Sequence, residues 1–202
     1  MSPRRAAALR DDDSPSLREH LIASTERIIA SHGTAGLTVR AIAREAGVAD
    51  GVLYNHFTDR EELIATALRT HVRTVEESLA PLPDPGAGTV EANLRAYLAY
   101  GLTMHRAILP AFAGLLNRPT VLTRFAELDE HGEQWRDRLT DYLRAERALG
   151  RLDPDAHVDT AAAMLVGICH DTVLAGLLQP DTSPTEPAIE PVVATLLTGI
   201  GR

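Results

Sequence analysis

Residues 38–57, TVRAIAREAGVADGVLYNHF, constrain the chain more than any other stretch. Ile42, Ala46, Val48 and Leu53 recur at helical spacing on either side of Gly47, a residue suited to the left-handed backbone of a tight turn. Neither segment is long enough to persist alone, so each must bury its apolar side against the other across the turn. Ala43 is small where the second helix has to approach closely. This is the pattern of a helix-turn-helix, whose later helix lies in the major groove of DNA.

The flanking sequence gives more helices and no sheet. A helix starts at Ser14 with Pro15 in its first turn, supported by the capping-box spacing of Ser16 and Glu19, and carries the stripe Leu17, Leu21, Ile22, Ile28 and Ile29 to the break at Gly33 to Gly36. Thr38 caps the helix Val39 to Ala46, a short helix runs from about Asp50 to His56, and Thr58-Asp59-Arg60-Glu61 reads as a second capping box opening a helix to about Leu79. Pro81, Pro83, Pro85, Gly86 and Gly88 then break the chain. Beyond them helices are expected at about 89–105, 108–116, 120–148, 155–178 and 188–199, divided by Pro110, Pro119, Gly150 with Pro154, and Pro180 to Pro187. No segment alternates with period two for long enough to need a strand. The expected fold is all-α with about nine helices: a flexible arm (1–13), a DNA-binding unit (14–76) and a body (77–202).

The single cysteine, Cys169, excludes disulfide frameworks, zinc ribbons and iron-sulfur clusters and suits a reducing cytosol. No run of 18 uninterrupted apolar residues occurs, and MSPRRAAALRDDD lacks the apolar core of a secretory signal, so a soluble, cytoplasmic protein is expected. Net charge is −8, but residues 1–60 balance 8 arginines against 8 acids while the remainder holds all of the excess. A polyanion would meet the N-terminal end. The segment 14–60 has only 5 arginines and 5 acids, so affinity must rest on helix N-termini, a few placed arginines and dimerisation. The arm, with Arg4 and Arg5, is expected to follow the adjacent minor groove.

Residues Leu37 to Leu63, LTVRAIAREAGVADGVLYNHFTDREEL, resemble the N-terminal signature of the TetR family of transcriptional repressors: a Thr-capped helix, the Ala-Gly-Val turn, Leu-Tyr-x-His-Phe, a polar cap and Glu-Glu-Leu. The resemblance spans about residues 15–75. It implies a DNA-binding N-terminal unit and a divergent helical body that binds a small molecule and forms a dimer.

Each candidate contact has a plainer alternative. Thr38 caps its helix and can touch phosphate at the same time. Arg40 offers a planar fork for guanine or phosphate, against a solvated surface charge. Ala49, Gly51, Val52 and Asn55 are expected on the exposed start and groove side of the recognition helix, where Val52 suits a thymine methyl and Asn55 an adenine. Asp50 reads as that helix's cap rather than an acceptor from cytosine. The resemblance puts the Tyr54 hydroxyl on DNA, against a half-buried packing role, and His56 either donates to phosphate or caps. Arg60 stands where the family often carries a phosphate-binding lysine; Ile42, Leu53 and Phe57 are core.

A two-turn recognition helix reads too few base pairs for genomic specificity, so a homodimer on a pseudo-palindromic, double-stranded operator is expected. TAAAMLVGICHDTVLAGLL (160–178) is apolar almost all round and must be covered on every side, which makes the C-terminal helices the expected interface: Ala161, Leu165 and Ile168 face one neighbour and Val173 and Leu177 another. In the body, Tyr97, Met104, His105, Phe112, Trp135, Leu139, Met164, Ile168 and Asp171 are candidates to line a small-molecule site, which the resemblance implies; without it Met104, Phe112 and Trp135 read as core. His105, His170 and Asp171 are expected to point inward. His131, His157 and Cys169-His170-Asp171 lack a metal-ligand spacing, and no catalytic motif is present, so neither metal, cofactor nor enzyme is expected. The leading expectation is a ligand-released repressor. The competing one is a helical binding protein that sequesters a hydrophobic metabolite without regulating transcription.

Overall fold

The computed structural model describes residues 16–34, 36–128, 135–178 and 187–199, and among these the chain is eight α-helices and one 3-10 helix without a strand. The expected arm, the Ser14–Pro15 start and His131 lie outside the described residues.

Helix α1 (Leu17–His32) begins at Ser16, whose hydroxyl accepts from the Glu19 N–H while the Glu19 carboxylate accepts from the Ser16 N–H, at 3.3 and 2.7 Å. Helix α2 (Val39–Ala46) is capped by Thr38 and ends at Gly47, whose φ of 69° and ψ of 30° are left-handed. The next element, η1 (Asp50–Asn55), is 3-10 rather than the expected α-helix. Ala49 stands at its N-cap with no side-chain hydrogen bond, so Asp50 does not cap it; the Asp50 carboxylate lies 4.0 Å from Arg40 Nε instead. Six residues with no cap cannot hold an α-helical turn at both ends, and the tighter 3-10 pattern completes within that length.

Helix α3 (Arg60–Ser78) corrects the second capping box by one residue. Asp59 is the cap, accepting from the Glu62 N–H at 2.9 Å, and Glu62 reaches back to the Thr58 N–H at 2.7 Å. A carboxylate is the stronger acceptor at a helix N-terminus.

Helix α4 (Val90–Ala113) runs through Pro110, where two helices were expected. Proline deletes the bond to Arg106's carbonyl, but the helix ends only three residues later. Side chains from the first unit also bond carbonyls on either side of it: His71 Nε2 to Ala107 O at 3.3 Å and Thr34 Oγ1 to Ala111 O at 2.6 Å. The expected single helix 120–148 is instead α5 (Pro119–Glu127) and α6 (Trp135–Ala148). Glu127 sets a negative charge at the negative end of α5's dipole, which disfavours extending that helix. Helices α7 (Val158–Leu178) and α8 (Ile189–Thr198) complete the chain.

These helices enclose two cores. The first joins Leu21, Ile29, Leu37, Ile42, Leu53, Phe57, Leu63 and Leu68. It also contains Ala111, Leu115 and Val121, from the end of α4 and from α5, so its packing does not stop at the sequence boundary near residue 76. The second gathers Leu94, Leu98, Trp135, Leu139, Leu143, Leu165, Cys169 and Val193. Phe112 and Phe125 touch both, their rings edge to face at 5.1 Å and 88°.

Polar contacts cross the same seam. His71 Nδ1 lies 3.1 Å from the Glu26 carboxylate of α1, and Arg124 of α5 grips Asp59 with two guanidinium nitrogens, Nη2 at 2.7 Å from Oδ2. Arg124's hydrogen bonds, with the Glu62 N–H second, hold the Asp59 carboxyl below the usual aspartate range. In the body, the wholly buried Glu146 accepts from the Gly86 N–H at 3.2 Å, which fixes the Pro-Gly segment over α6.

Two expectations follow. A methyl group on Gly101 would lie 2.3 Å from the buried Trp135 ring, so Gly101→Ala should destabilise the protein by about 1–3 kcal/mol despite alanine's better helix propensity; chemical denaturation followed by Trp135 fluorescence checks this, and a stabilised variant contradicts it. Asp59→Asn keeps a capping oxygen but loses the charge. Because Asp59's folded pKa is depressed, its contribution is present above the unfolded value near 4 and lost as pH falls through the folded one. The melting-temperature gap between wild type and variant should therefore be constant near neutrality and close in acid.

Candidate nucleic-acid interface

The recognition element owes its position to two anchors. Leu53 and Phe57 sit in the first core at 2% and 4% exposure, and the Arg18 guanidinium covers the outer face of Phe57, 4.7 Å from the ring centre. With three residues per turn, Tyr54 stands above Gly51 and Asn55 above Val52. Gly51 has open space where a side chain would be, which leaves the Tyr54 ring, 58% exposed, unobstructed.

The sequence-named residues fall on one side of this element and its neighbour α2. Ala49, Asp50, Gly51, Tyr54 and Asn55 are exposed; Val52 and His56 are half-buried. Thr38 is exposed beside the free N–H groups at the start of α2, and the Arg40 side chain is 90% exposed one residue into the helix. Arg44 is exposed one turn further along, a position that the i, i+4 spacing from Arg40 could have flagged but that was not singled out. Arg60 differs: its guanidinium is bound to Glu61, with Nη2 2.6 Å from Oε1, so contact with a phosphate requires it to exchange partners. Three carboxylates at the start of α3 are thus already committed, Asp59 to Arg124, Glu61 to Arg60 and Glu62 to the Thr58 N–H and Arg18. The surface can present N–H groups, one tyrosine hydroxyl, one amide and at least two arginines to an anion, with its acids neutralised beside it.

Asp59 and Arg124 are the pair that sequence reasoning missed. Asp59 was read as the second residue of a box capped by Thr58, and Arg124 is 65 positions away, beyond any local periodicity.

The body candidates divide. Tyr97, Met104, His105, Trp135 and Leu139 are buried, with Tyr97 stacked on Tyr142 at 4.5 Å and His105 set edge to face against Trp135 at 5.3 Å. Burial pushes the pKa of His105 down, and its Nδ1 lies 2.6 Å from the Gly101 carbonyl, so Nδ1 carries the proton of a neutral ring. Trp135 Nε1 is buried without a hydrogen-bond partner. Phe112 and Ile168 are half-buried, Phe112 at the seam between the cores. Met164 and Asp171 are exposed on the outer side of α7, which corrects the expectation that Asp171 points inward; His170 is exposed too, but its ring meets that of the buried His105 edge to face at 4.8 Å. The buried stripe of that helix is Val158, Ala162, Leu165, Cys169 and Val173, spaced by three and four, and this spacing turns residues 164 and 171 outward. Leu177 also stays 42% exposed. Burial raises the Cys169 thiol to about 12, which makes it an inert core group. Helix α7 is long and apolar enough to cross a membrane by composition alone, but its inner stripe packs against α4 and α6.

Comparison with known proteins agrees with this architecture. Residues 21–67 match the model of bacterial regulatory proteins, tetR family. The HTH-type transcriptional repressor KstR2 of Mycobacterium tuberculosis is 27% identical over 146 residues, covering 71% of this chain and 73% of that protein. The repressor AcnR of Corynebacterium diphtheriae is 25% identical over 169 residues, covering 80% and 78%. Among solved structures, the TetR family transcription regulator SCO0332 superposes with a TM-score of 0.59 at 25% identity over 93% of this chain and 100% of that one. The multidrug binding protein EbrR complexed with ethidium gives 0.59 at 26% over 90% and 99%. A helix-turn-helix with an open outer face, a tetR-type family signature across residues 21–67 and likeness to such regulators over most of the chain lead to one statement: the N-terminal unit matches the DNA-binding region of the tetR family, and the chain is similar to TetR family transcriptional regulators.

Proposed function

We propose that the protein is a cytoplasmic, homodimeric repressor that binds a pseudo-palindromic DNA operator and is released from it by a small, mostly apolar molecule. The observation that carries this reading is the contrast within η1: Leu53 and Phe57 are fully anchored while Tyr54 and Asn55 next to them are open. A purely structural segment would have little reason to hold a tyrosine and an amide bare. Thr38, Tyr54, His56 and Arg60 are the phosphate-directed residues, and Arg40, Ala49, Asp50, Gly51, Val52 and Asn55 those near base edges. The arm 1–13 follows the minor groove, 14–76 form the DNA-binding unit, and 77–202 form the ligand and dimer body.

The dimer reading is supported by the outer side of α7 and α8. Met164, Leu174, Leu178 and Leu197 are between 40% and 79% exposed, and Met164, Ile168, Val192 and Leu196 line an apolar groove of about 260 Å³ between the two helices. A second copy would cover that surface by the two-fold that operator symmetry requires. The effector reading is supported by EbrR, whose structure holds ethidium, and by the buried cluster Tyr97, Met104, His105, Trp135 and Leu139, which would meet an aromatic or aliphatic molecule and offers it the unpartnered Trp135 N–H. Binding would favour a dimer whose recognition elements no longer match major grooves about 34 Å apart.

Selecting duplexes from a random pool with the purified protein and measuring affinity by fluorescence anisotropy tests the proposal. Wild type should enrich a two-fold symmetric sequence. Tyr54→Ala should weaken binding to it by about 1–2 kcal/mol with little change in melting temperature, and Arg40→Ala should relax preference at one base position in each half-site. Failure to enrich any sequence, with a monomer in sedimentation, contradicts the proposal.

A further inference from the structure

The Asp59–Arg124 pair has a location that its own strength does not explain. Asp59 is the cap of α3, one residue before Arg60 and two after Phe57, at the edge of the DNA-facing surface. Arg124 comes from α5, which begins 59 positions beyond Arg60 and carries Val121 into the first core and Phe125 onto the seam with the second. Both side chains are about one-third exposed, where an ordinary ion pair contributes little to stability. The contact is nevertheless two-pronged, Arg124 Nη1 on Oδ1 and Nη2 on Oδ2, and Oδ1 also accepts from the Glu62 N–H. A fork on a carboxylate fixes direction as well as distance. Arg124 therefore sets where the cap oxygen points, and with it the first turn of α3 that carries Arg60.

We propose that Asp59 and Arg124 are positioning residues for operator binding, through which helix α5 of the body sets the first turn of α3 against the DNA backbone. The inference rests on the regulator reading given above. It adds a contact at the N-terminal end of α3, next to the DNA surface, to the apolar seam between the cores. Any rearrangement of the body that shifts Phe125 on Phe112 moves Arg124 with it, one residue away on the same helix. Neither residue touches DNA in this arrangement; Arg124 acts through Asp59, and Asp59 through Arg60.

The test uses the full-length protein and the duplex enriched by wild type, with affinity measured over a range of salt concentrations for Arg124→Gln, Arg124→Lys, Asp59→Asn and the Asp59→Asn/Arg124→Gln double variant. The inference expects each single variant to bind about three- to tenfold more weakly, the double variant to bind no worse than the weaker single, and the salt dependence to keep its wild-type slope. Arg124→Lys separates positioning from simple neutralisation, since lysine keeps the charge but not the fork. Wild-type affinity for Arg124→Lys overturns the inference in favour of charge alone. Additive losses in the double variant overturn it, and so does a slope reduced by about one, which would make Arg124 a direct phosphate contact. Melting temperatures within a few degrees of wild type exclude misfolding as the cause, and Asp59→Asn, which keeps the cap, reads the same contact from the other side. A wild-type protein that enriches no duplex overturns the regulator reading and this inference together.

Discussion

Burial of Ala111, Leu115 and Val121 inside the helix-turn-helix core is the contact on which the rest of the molecule depends. Leu115 and Val121 are wholly removed from solvent, and together their burial contributes about 3–6 kcal/mol, more than the exposed ion pairs along the seam can supply. Apolar packing thus holds the DNA-facing unit to the body, and the polar contacts only choose its orientation. Thr34 on Ala111, His71 on Ala107 and Arg124 on Asp59 are all directional, and each ties a residue of the helix-turn-helix unit to α4 or α5. A unit backed in this way moves with the two helices that pass beneath it.

The same packing explains how a six-residue 3-10 segment holds its shape. Such a segment has poor hydrogen-bond geometry and would not persist in isolation. Leu53 and Phe57 fix it at two points, and the bonds from the Val52 N–H to Ala49 and from the His56 and Phe57 N–H groups to Leu53 close its ends. Its stability comes from the inner face, which frees the outer face to carry Tyr54 and Asn55.

The fold was legible where its causes are local. Thr38, Gly47 and the Pro-Gly cluster at 81–88 act on their own backbones, so the limits of α2 and the break before α4 could be read directly. What could not be read depends on distant partners. Pro110 marks an end in sequence, yet the helix continues under side chains supplied by residues 34 and 71. The cap of α3 shifted to Asp59, which also has a guanidinium 65 positions away as partner. Helix α7 is apolar nearly all round, so periodicity could not choose its inner side, and Asp171, expected to point inward, lies on the exposed one. For the exposed side of η1 the pattern was more informative, because Leu53 and Phe57 define the inside and leave the outside by elimination. Arg60 shows the limit of that logic, since its neighbour Glu61 holds it in the free protein.

The central claim is that the outer side of η1 and α2, backed by the body, is where DNA sits. Hydrogen exchange of the full-length protein, followed by mass spectrometry with and without an enriched duplex, addresses it most directly. The account predicts slowed exchange at residues 38–41, across 49–57 and in the first turn of α3, with smaller changes at 107–111 where α4 meets the seam. Protection confined to the C-terminal helices, with 49–57 exchanging as in the free protein, would contradict it.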